Sequence, residues 1–230
     1  MKTQFVHRRN KLAESIQTGI AVMPTNKEVV RNKDAHFPYR FDSYFHYLTG
    51  FGEPESVIVI FGGKTPRSIL FCRDKNEEKE IWDGFRHGPE AAKNLFHFDA
   101  AHSIDEIDQI LPQLIENKDT IYTPLGVDAA WDRQMMRWLN QTRSRVREGI
   151  AAPDGLIDVR GILDEMRLIK DSSELDTMRQ AATISAQAHV LAMSATTPGK
   201  YEYEIEAELL YHFKKNGSQF PAYTSIVAGG

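Results

Sequence analysis

The chain has 230 residues, of which 41% are apolar and 26% charged, with a formal net charge of −4. This composition is ordinary for a folded globular protein and excludes a disordered chain. The longest clean apolar run, Val57 to Phe61, is far shorter than the roughly 20 residues of a membrane-spanning helix. The first residues lack the apolar segment of a signal peptide, and the mild acidity is atypical of a general nucleic-acid binder. We therefore expect neither a membrane nor a nucleic acid as partner.

Cysteine usage indicates a reducing compartment. Cys72 is the single cysteine of the sequence, which excludes an internal disulfide and any multi-cysteine zinc or iron–sulfur site. Its position at the end of an apolar strand predicts a small buried side chain rather than a nucleophile. These features favour a cytoplasmic protein.

Strand-like and helix-like segments alternate along the first part of the chain, which predicts a mixed α/β fold. The predicted elements are a helix at 3–17, a strand at 20–23, a hairpin of 56–61 and 68–72, a helix starting at the capping box Ser103–Glu106, a strand at 120–123 and a helix carrying Trp131 and Trp138. Six aromatic side chains lie between Tyr39 and Phe51. We expect them to pack in the core rather than to form a base-stacking platform.

The pattern changes near residue 149, where Gly149, Pro153 and Gly155 interrupt it. The elements predicted beyond this point are a short helix at 158–168, a long helix from about 172 to 196, a helix closed by Gly217 and a strand at 223–228. Two helices and one strand cannot bury their own apolar faces. We therefore expect one complete domain, 1–168, followed by the beginning of a second, 169–230, which would fold poorly by itself.

Searches for familiar catalytic and ligand-binding motifs fail. Gly50-x-Gly52 leads to Glu55 where a dinucleotide fingerprint has a third glycine, and Gly63-Lys64-Thr65 lacks the earlier glycine of a P-loop. The sequence contains no Gly-x-Ser-x-Gly or His-Glu-x-x-His, and its eight histidines form no metal-ligand pair at helical spacing. Motifs alone therefore identify no catalytic side chain.

Four sequence blocks carry a resemblance to a known family. They are the run from Tyr39 to Glu55, EIWDGFRHG at 80–88, IDVRGILDEMRLIKDSSEL at 157–175 and FPAYTSIVAGG at 220–230. Together they resemble the aminopeptidase P (Xaa-Pro aminopeptidase) family over essentially the whole chain. The resemblance implies a mixed-sheet N-terminal domain, 1–168, of the creatinase/aminopeptidase P type. A truncated pita-bread metallopeptidase domain, 169–230, would follow it.

The resemblance also implies a function for the full-length protein. Family members release an N-terminal residue that precedes proline, using two divalent metal ions, usually manganese. The family's metal ligands are two aspartates, one histidine and two glutamates, and none of them maps onto this sequence. We therefore expect this chain alone to contain no catalytic residue, to bind no catalytic metal and to be inactive.

Three residues match positions close to the family's active site. Tyr223 matches a tyrosine near the metal centre, where its phenol would hydrogen-bond a metal ligand or water. Trp82 and Arg147 match active-site neighbours in oligomeric bacterial members, and Trp82 would form an apolar wall for a proline-sized subsite. Ordinary packing stays an alternative for all three. The charged residues of the third block are expected to be structural, on a helix connecting the domains: Arg160, Glu165, Arg167 and Lys170.

By the same resemblance we expect a homo-oligomer that binds proline-containing peptides. Two other functions stay open. A prolidase-type dipeptidase would share the fold but would leave a Xaa-Pro-Yaa tripeptide intact. A non-catalytic binding or scaffold protein would keep the fold without the metal ligands.

Overall fold

The structure is a computed structural model that describes residues 3–229. The chain divides into two compact units between Leu168 and Ile169. Within the described residues, all strands belong to the first unit, and the second unit contains helices with irregular connections.

The first unit alternates strands and helices along the chain. Its strands are β1 (Ile20–Pro24), β2 (Val30–Asn32), β3 (Ala35–His36), β4 (Val57–Phe61), β5 (Arg67–Cys72), β6 (Ala100–Ser103), β7 (Thr120–Thr123) and β8 (Gly155–Asp158). Its helices are α1 (Thr3–Ile16), α2 (Ser43–Thr49), α3 (Glu77–Asp83), α4 (Gly88–Phe96), α5 (Ile107–Leu114), α6 (Ala129–Arg143) and α7 (Arg160–Leu168), with 3-10 turns at Ile104–Glu106 and Val146–Glu148. The predicted first helix, first strand, hairpin and capping box are confirmed.

Six of these strands form one mixed sheet in the order β6-β5-β4-β1-β7-β8. β4 runs antiparallel to β1 and β5, whereas the β5–β6, β1–β7 and β7–β8 pairs are parallel. Five strands therefore run in the same direction. We call the edge where their carboxyl ends meet the carboxyl edge, and the opposite one the amino edge.

Both faces of the sheet are covered by helices, and alternate strand residues therefore enter two separate cores. In β4, Val57 and Val59 pack in the core that includes α5 and α6. Ile58 and Ile60 pack in the other core, with α1, α2, α4 and α7. Burial of both faces explains why the central strands are apolar along their whole length. The mixed α/β fold predicted from the sequence is confirmed.

One core contains a buried cation that the sequence pattern did not predict. Arg9 on α1 is 2% exposed. Its guanidinium donates to the carbonyl oxygens of Leu48 at 3.1 Å, Phe96 at 3.1 Å and His97 at 2.6 Å. These carbonyls lie at the carboxyl ends of α2 and α4, where helix carbonyls lack internal partners. Burial lowers the pKa of Arg9 to about 10. Arg9 thus joins three helices.

The second unit is built on two helices, α8 (Ser172–Ala195) and α9 (Glu202–Lys215). The Asp171 side chain accepts from the Glu174 N–H at 2.9 Å, in a reciprocal capping box that fixes the start of α8. Gly217 follows α9 with a φ of +91°, the left-handed conformation expected after a helix end. The predicted bounds of α8 and the predicted end of α9 are confirmed.

The strand predicted at 223–228 is wrong, because residues 223–229 are irregular. A strand needs a neighbour to bond its backbone groups, and the described part of the second unit holds only helices and loops. This unit also exposes many large apolar side chains: Leu175, Met178, Val190, Leu191, Met193, Tyr201, Tyr203, Tyr211, Tyr223 and Ile226.

Candidate functional site

The segment 80–88 presents large apolar side chains to solvent at the carboxyl edge. It comprises the end of α3 and the loop that leads to α4, and α3 follows directly on the carboxyl end of β5. Ile81 is 77% exposed, Trp82 88% and Phe85 65%. The Trp82 side chain makes no hydrogen bond or ring contact with any residue between 3 and 229. The structure therefore places Trp82 outside every described core.

Polar contacts fix the amino-terminal end of this segment. Asn76 caps α3 by accepting from the Lys79 N–H at 2.9 Å. The Glu80 carboxylate accepts from Lys75 Nζ at 2.6 Å and from the Arg86 backbone N–H at 2.6 Å. These bonds, first from Lys75 and then from Arg86, lower the pKa of Glu80. Glu80 thus closes the segment into a loop.

The carboxyl-terminal end of the segment, at His87, is bound to Glu53, a buried carboxylate from another part of the chain. Glu53 Oε1 accepts from the His87 backbone N–H at 2.8 Å and lies 2.5 Å from His87 Nδ1. Arg73 Nη2 is 3.7 Å from Glu53 Oε2 and is also buried. Three aromatic rings surround the His87 ring with centroids at 5.7, 4.9 and 5.4 Å: Phe51, Phe85 and Phe96.

Arg147 lies on the exposed 3-10 turn between α6 and β8. Its neighbour Arg145 forms ion pairs with Glu116 and Glu148, and Gly149 closes the turn with a φ of +80°. The Arg147 side chain is exposed and makes no hydrogen bond or ion pair within residues 3–229. Its guanidinium therefore keeps all its donors available.

Trp82 and Arg147 are not brought together by this fold. Trp82 follows the carboxyl end of β5, whereas the turn of Arg147 precedes the amino end of β8. Arg145 of the same turn is paired to Glu116, which precedes the amino end of β7. The two side chains therefore lie at opposite edges of the sheet. β5 has six residues, so the edges are about 20 Å apart at a rise of about 3.3 Å per residue.

Tyr223 lies in the second unit and is 75% exposed. Its phenol has no hydrogen-bond partner among residues 3–229. It borders a cavity of about 390 Å³ within that unit. The lining of the cavity also includes Ile184, His189, Phe213, Phe220 and Pro221.

Motif searching missed a second cavity, of about 490 Å³, at the carboxyl edge of the first unit. It lies at the ends of β1 and β7, and its lining includes Thr25, Tyr39, Trp131 and Arg160. The Tyr39 phenol lies 2.9 Å from Thr25 Oγ1, and burial raises its pKa. The sequence signal for this region is the aromatic and proline run at 37–41, whose aromatic residues the sequence pattern predicts only to pack in the core.

The residues from 3 to 229 do not assemble a metal site: they contain no group of three or more His, Cys, Asp or Glu side chains arranged to hold a metal ion. Cys72 is fully buried, and burial raises the pKa of its thiol to about 12. A thiol in that state is neither a nucleophile nor a ready ligand. Across the same range, no helix is sufficiently long and apolar to span a bilayer.

Comparison with known proteins defines the class. The family model described as "Aminopeptidase P, N-terminal domain" matches residues 5–122, and the model "Metallopeptidase family M24" matches residues 176–230. The chain belongs to the aminopeptidase P family.

Individual relatives give the same family. The chain is 37% identical to a Xaa-Pro aminopeptidase of Escherichia coli, over 100% of this chain and 53% of that protein. Among solved structures, the Pseudomonas aeruginosa aminopeptidase PepP superposes with a TM-score of 0.95 at 42% identity, over 99% of this chain and 52% of that one. A zinc-substituted E. coli aminopeptidase P in complex with product has a TM-score of 0.93 at 36% identity, over 97% and 51%. The chain thus spans about half the length of the relatives it matches.

Proposed function

We propose that this chain is the N-terminal part of a manganese-dependent Xaa-Pro aminopeptidase that releases an N-terminal residue preceding proline. The observation that carries the proposal is the match of the whole chain to a Xaa-Pro aminopeptidase at 37% identity. The single buried cysteine supports a cytoplasmic location as part of the proposal. In this proposal, residues 1–168 are the N-terminal domain, and residues 169–230 begin the pita-bread catalytic domain.

The described residues offer no donor set that fits the metal. We assign the manganese ligands to the part of the relatives' length that this chain does not span. When bound, the metal pair would supply the activated hydroxide for peptide hydrolysis. This chain alone is then expected to be inactive.

The proposal gives three exposed side chains of this chain a part in substrate binding. The indole of Trp82 offers a flat apolar face against which a pyrrolidine ring can pack. The guanidinium of Arg147 has five free donors for a peptide carbonyl or carboxylate. The phenol of Tyr223 offers a hydrogen bond to a metal ligand or to water.

The positions of Trp82 and Arg147 support a homo-oligomer. They lie at opposite edges of one sheet, so a single copy of the first unit cannot turn both toward one peptide. If both contact the same substrate, they come from different copies. Exposed apolar side chains at Ile81, Trp82 and Phe85 are typical of a surface that is covered in an assembly.

The experiment is a peptide assay on the full-length protein with purified Xaa-Pro-Yaa tripeptides. We expect hydrolysis that manganese stimulates and a chelator abolishes, together with a loss of kcat/KM in Tyr223→Phe and Trp82→Ala variants. Hydrolysis that chelation does not affect would contradict the metal assignment.

The same assay separates the alternatives. A prolidase-type dipeptidase would cleave Xaa-Pro dipeptides and leave the tripeptide intact. A non-catalytic scaffold would cleave neither peptide at any manganese concentration. The 230-residue chain by itself serves as the matched negative control, since we expect it to be inactive with or without metal.

A further inference from the structure

Trp82 lies on α3, a helix whose side chains are too exposed to hold it in place by packing. α3 has seven residues and none of them is buried. A helix this short is unstable in water unless tertiary contacts support it. The orientation of Trp82 must therefore be set by contacts elsewhere in the segment.

Two of those contacts converge on one buried carboxylate. Glu53 is 8% exposed and precedes His87 by 34 residues. Its Oε1 binds both the backbone N–H and the ring Nδ1 of His87, at 2.8 and 2.5 Å. Two bonds to one residue fix the direction of the chain as well as its position.

The position of Glu53 is explained better by its effect on the path of the chain than by a gain in stability. Its Oε2 has no hydrogen-bond partner in the described structure, and Arg73 is its nearest cation at 3.7 Å. A buried charge whose hydrogen bonds are incomplete loses more from desolvation than a well-packed apolar residue would. Its contribution here is to the path of the chain through His87.

The other end of the segment has a more exposed attachment. Lys75 bonds Glu80 at 2.6 and 2.8 Å, and its ammonium lies 4.3 Å from the centroid of the Phe85 ring. Lys75 is half exposed, with 47% of its side chain accessible. The segment is thus a loop held at one end by Glu53 and at the other by the Lys75–Glu80 pair.

We propose that Glu53 is the positioning residue for Trp82, and that it acts through His87 to hold the indole in the orientation in which it receives the proline ring of the substrate. This inference rests on the proposed function for its substrate. The positioning itself concerns only the motion of Trp82 and can be measured without any substrate.

The first measurement is the fluorescence anisotropy decay of Trp82 in the full-length protein. Its signal is isolated by subtracting the decay of the same protein carrying Trp82→Phe, which cancels all other tryptophans. We expect Glu53→Gln to increase the fast-decaying fraction about twofold, as side-chain motion on the nanosecond scale is released. The matched control is Glu55→Gln, an exposed glutamate two residues away, which should leave the decay unchanged.

A folding control keeps the proposal falsifiable. If Glu53→Gln does not fold, His87→Phe is measured instead, since it removes the ring contact with Glu53 and keeps a ring among the surrounding phenylalanines. An unchanged Trp82 decay in a folded Glu53→Gln protein, or in His87→Phe when only that variant folds, overturns the proposal.

A double-mutant cycle on kcat/KM for a Xaa-Pro-Yaa peptide tests whether Glu53 acts through Trp82. We expect Glu53→Gln to lower kcat/KM in the parent protein and to have no further effect once Trp82 is alanine. Equal losses in both backgrounds overturn the positioning role. Released motion of Trp82 with unchanged kcat/KM leaves the positioning intact and instead contradicts the proposed contact between Trp82 and substrate.

Discussion

Trp82 and Arg147 project from opposite edges of the same six-stranded sheet. Trp82 follows the carboxyl end of β5, and Arg147 precedes the amino end of β8. Both side chains are exposed and neither has a side-chain partner in the described structure. If both contact one peptide, as proposed above, different copies of the chain must supply them.

This relationship predicts complementation between two defective variants. Trp82→Ala and Arg147→Ala should each lower kcat/KM of the full-length enzyme. When the two are co-expressed and assemble at random, about a quarter of the substrate sites receive the intact tryptophan and the intact arginine from different copies. The mixed enzyme should therefore be more active than either variant alone.

The control for this experiment is the mixture of separately purified variants that are not allowed to exchange subunits. That mixture should show only the average of the two activities. An absence of recovery in co-purified hetero-oligomers would contradict the idea that the two residues come from different copies.

A second prediction compares two tryptophans of opposite environment. Trp138 is 3% exposed, packs edge-to-face on Trp131 and donates from Nε1 to Asp108 Oδ1 at 2.8 Å. Trp138→Ala should lower the free energy of unfolding by about 3–5 kcal/mol through lost burial and a cavity. Trp82→Ala should change it by less than about 0.5 kcal/mol, since the indole is almost fully exposed. Urea unfolding of the two variants measures both values.

A third prediction concerns the thiol of Cys72. Burial, and after it the nearby carboxylates of Glu53 and Asp74, together raise its pKa to about 12. The native protein should therefore react with a thiol reagent at pH 8 only as fast as it unfolds, while the unfolded protein reacts at once. Rapid labelling of folded protein would show that Cys72 is more accessible than the structure indicates.

Local signals in the sequence predicted much of the fold correctly. The capping box of Ser103 and Glu106 depends on residues three positions apart, and the apolar stripe of Trp131 and Trp138 follows the helical period. Such patterns are visible because the interacting groups are neighbours in the chain. The strand predicted at 223–228 failed because a strand depends on a partner that the local pattern does not specify.

The candidate site was less predictable, because its contacts also join residues that are far apart in the sequence. The resemblance singled out Trp82, but the carboxylate that anchors its segment, Glu53, lies 34 residues from His87. No short motif joins the two, although each lies within one of the blocks that carry the family resemblance. The buried guanidinium of Arg9 is a similar case, because its partners lie on two other helices.

The last prediction concerns acid stability and the ion pair at the end of β8. Asp158 accepts from Arg160 Nε at 3.0 and 2.9 Å, and Arg160 Nη2 also donates to the Leu125 carbonyl at 2.9 Å. The bond from Arg160 lowers the pKa of Asp158 in the folded protein. A carboxylate with a lowered pKa stabilises the fold above its unfolded pKa of about 4 and loses that contribution as the pH falls through its folded value.

Asp158→Asn should therefore lower the free energy of unfolding at pH 7, by up to about 1 kcal/mol because the pair is partly exposed. The difference between parent and variant should begin to shrink as the pH falls below about 4, and it should vanish only below the lowered folded pKa of Asp158, where the parent carboxylate is protonated in the folded and the unfolded protein. Urea unfolding followed by the fluorescence of the buried tryptophans measures this difference across pH. The matched control is Asp154→Asn, an exposed carboxylate without an ion pair in the described structure. A difference that is constant with pH in Asp158→Asn would mean that the Asp158–Arg160 pair does not stabilise the fold through its charge.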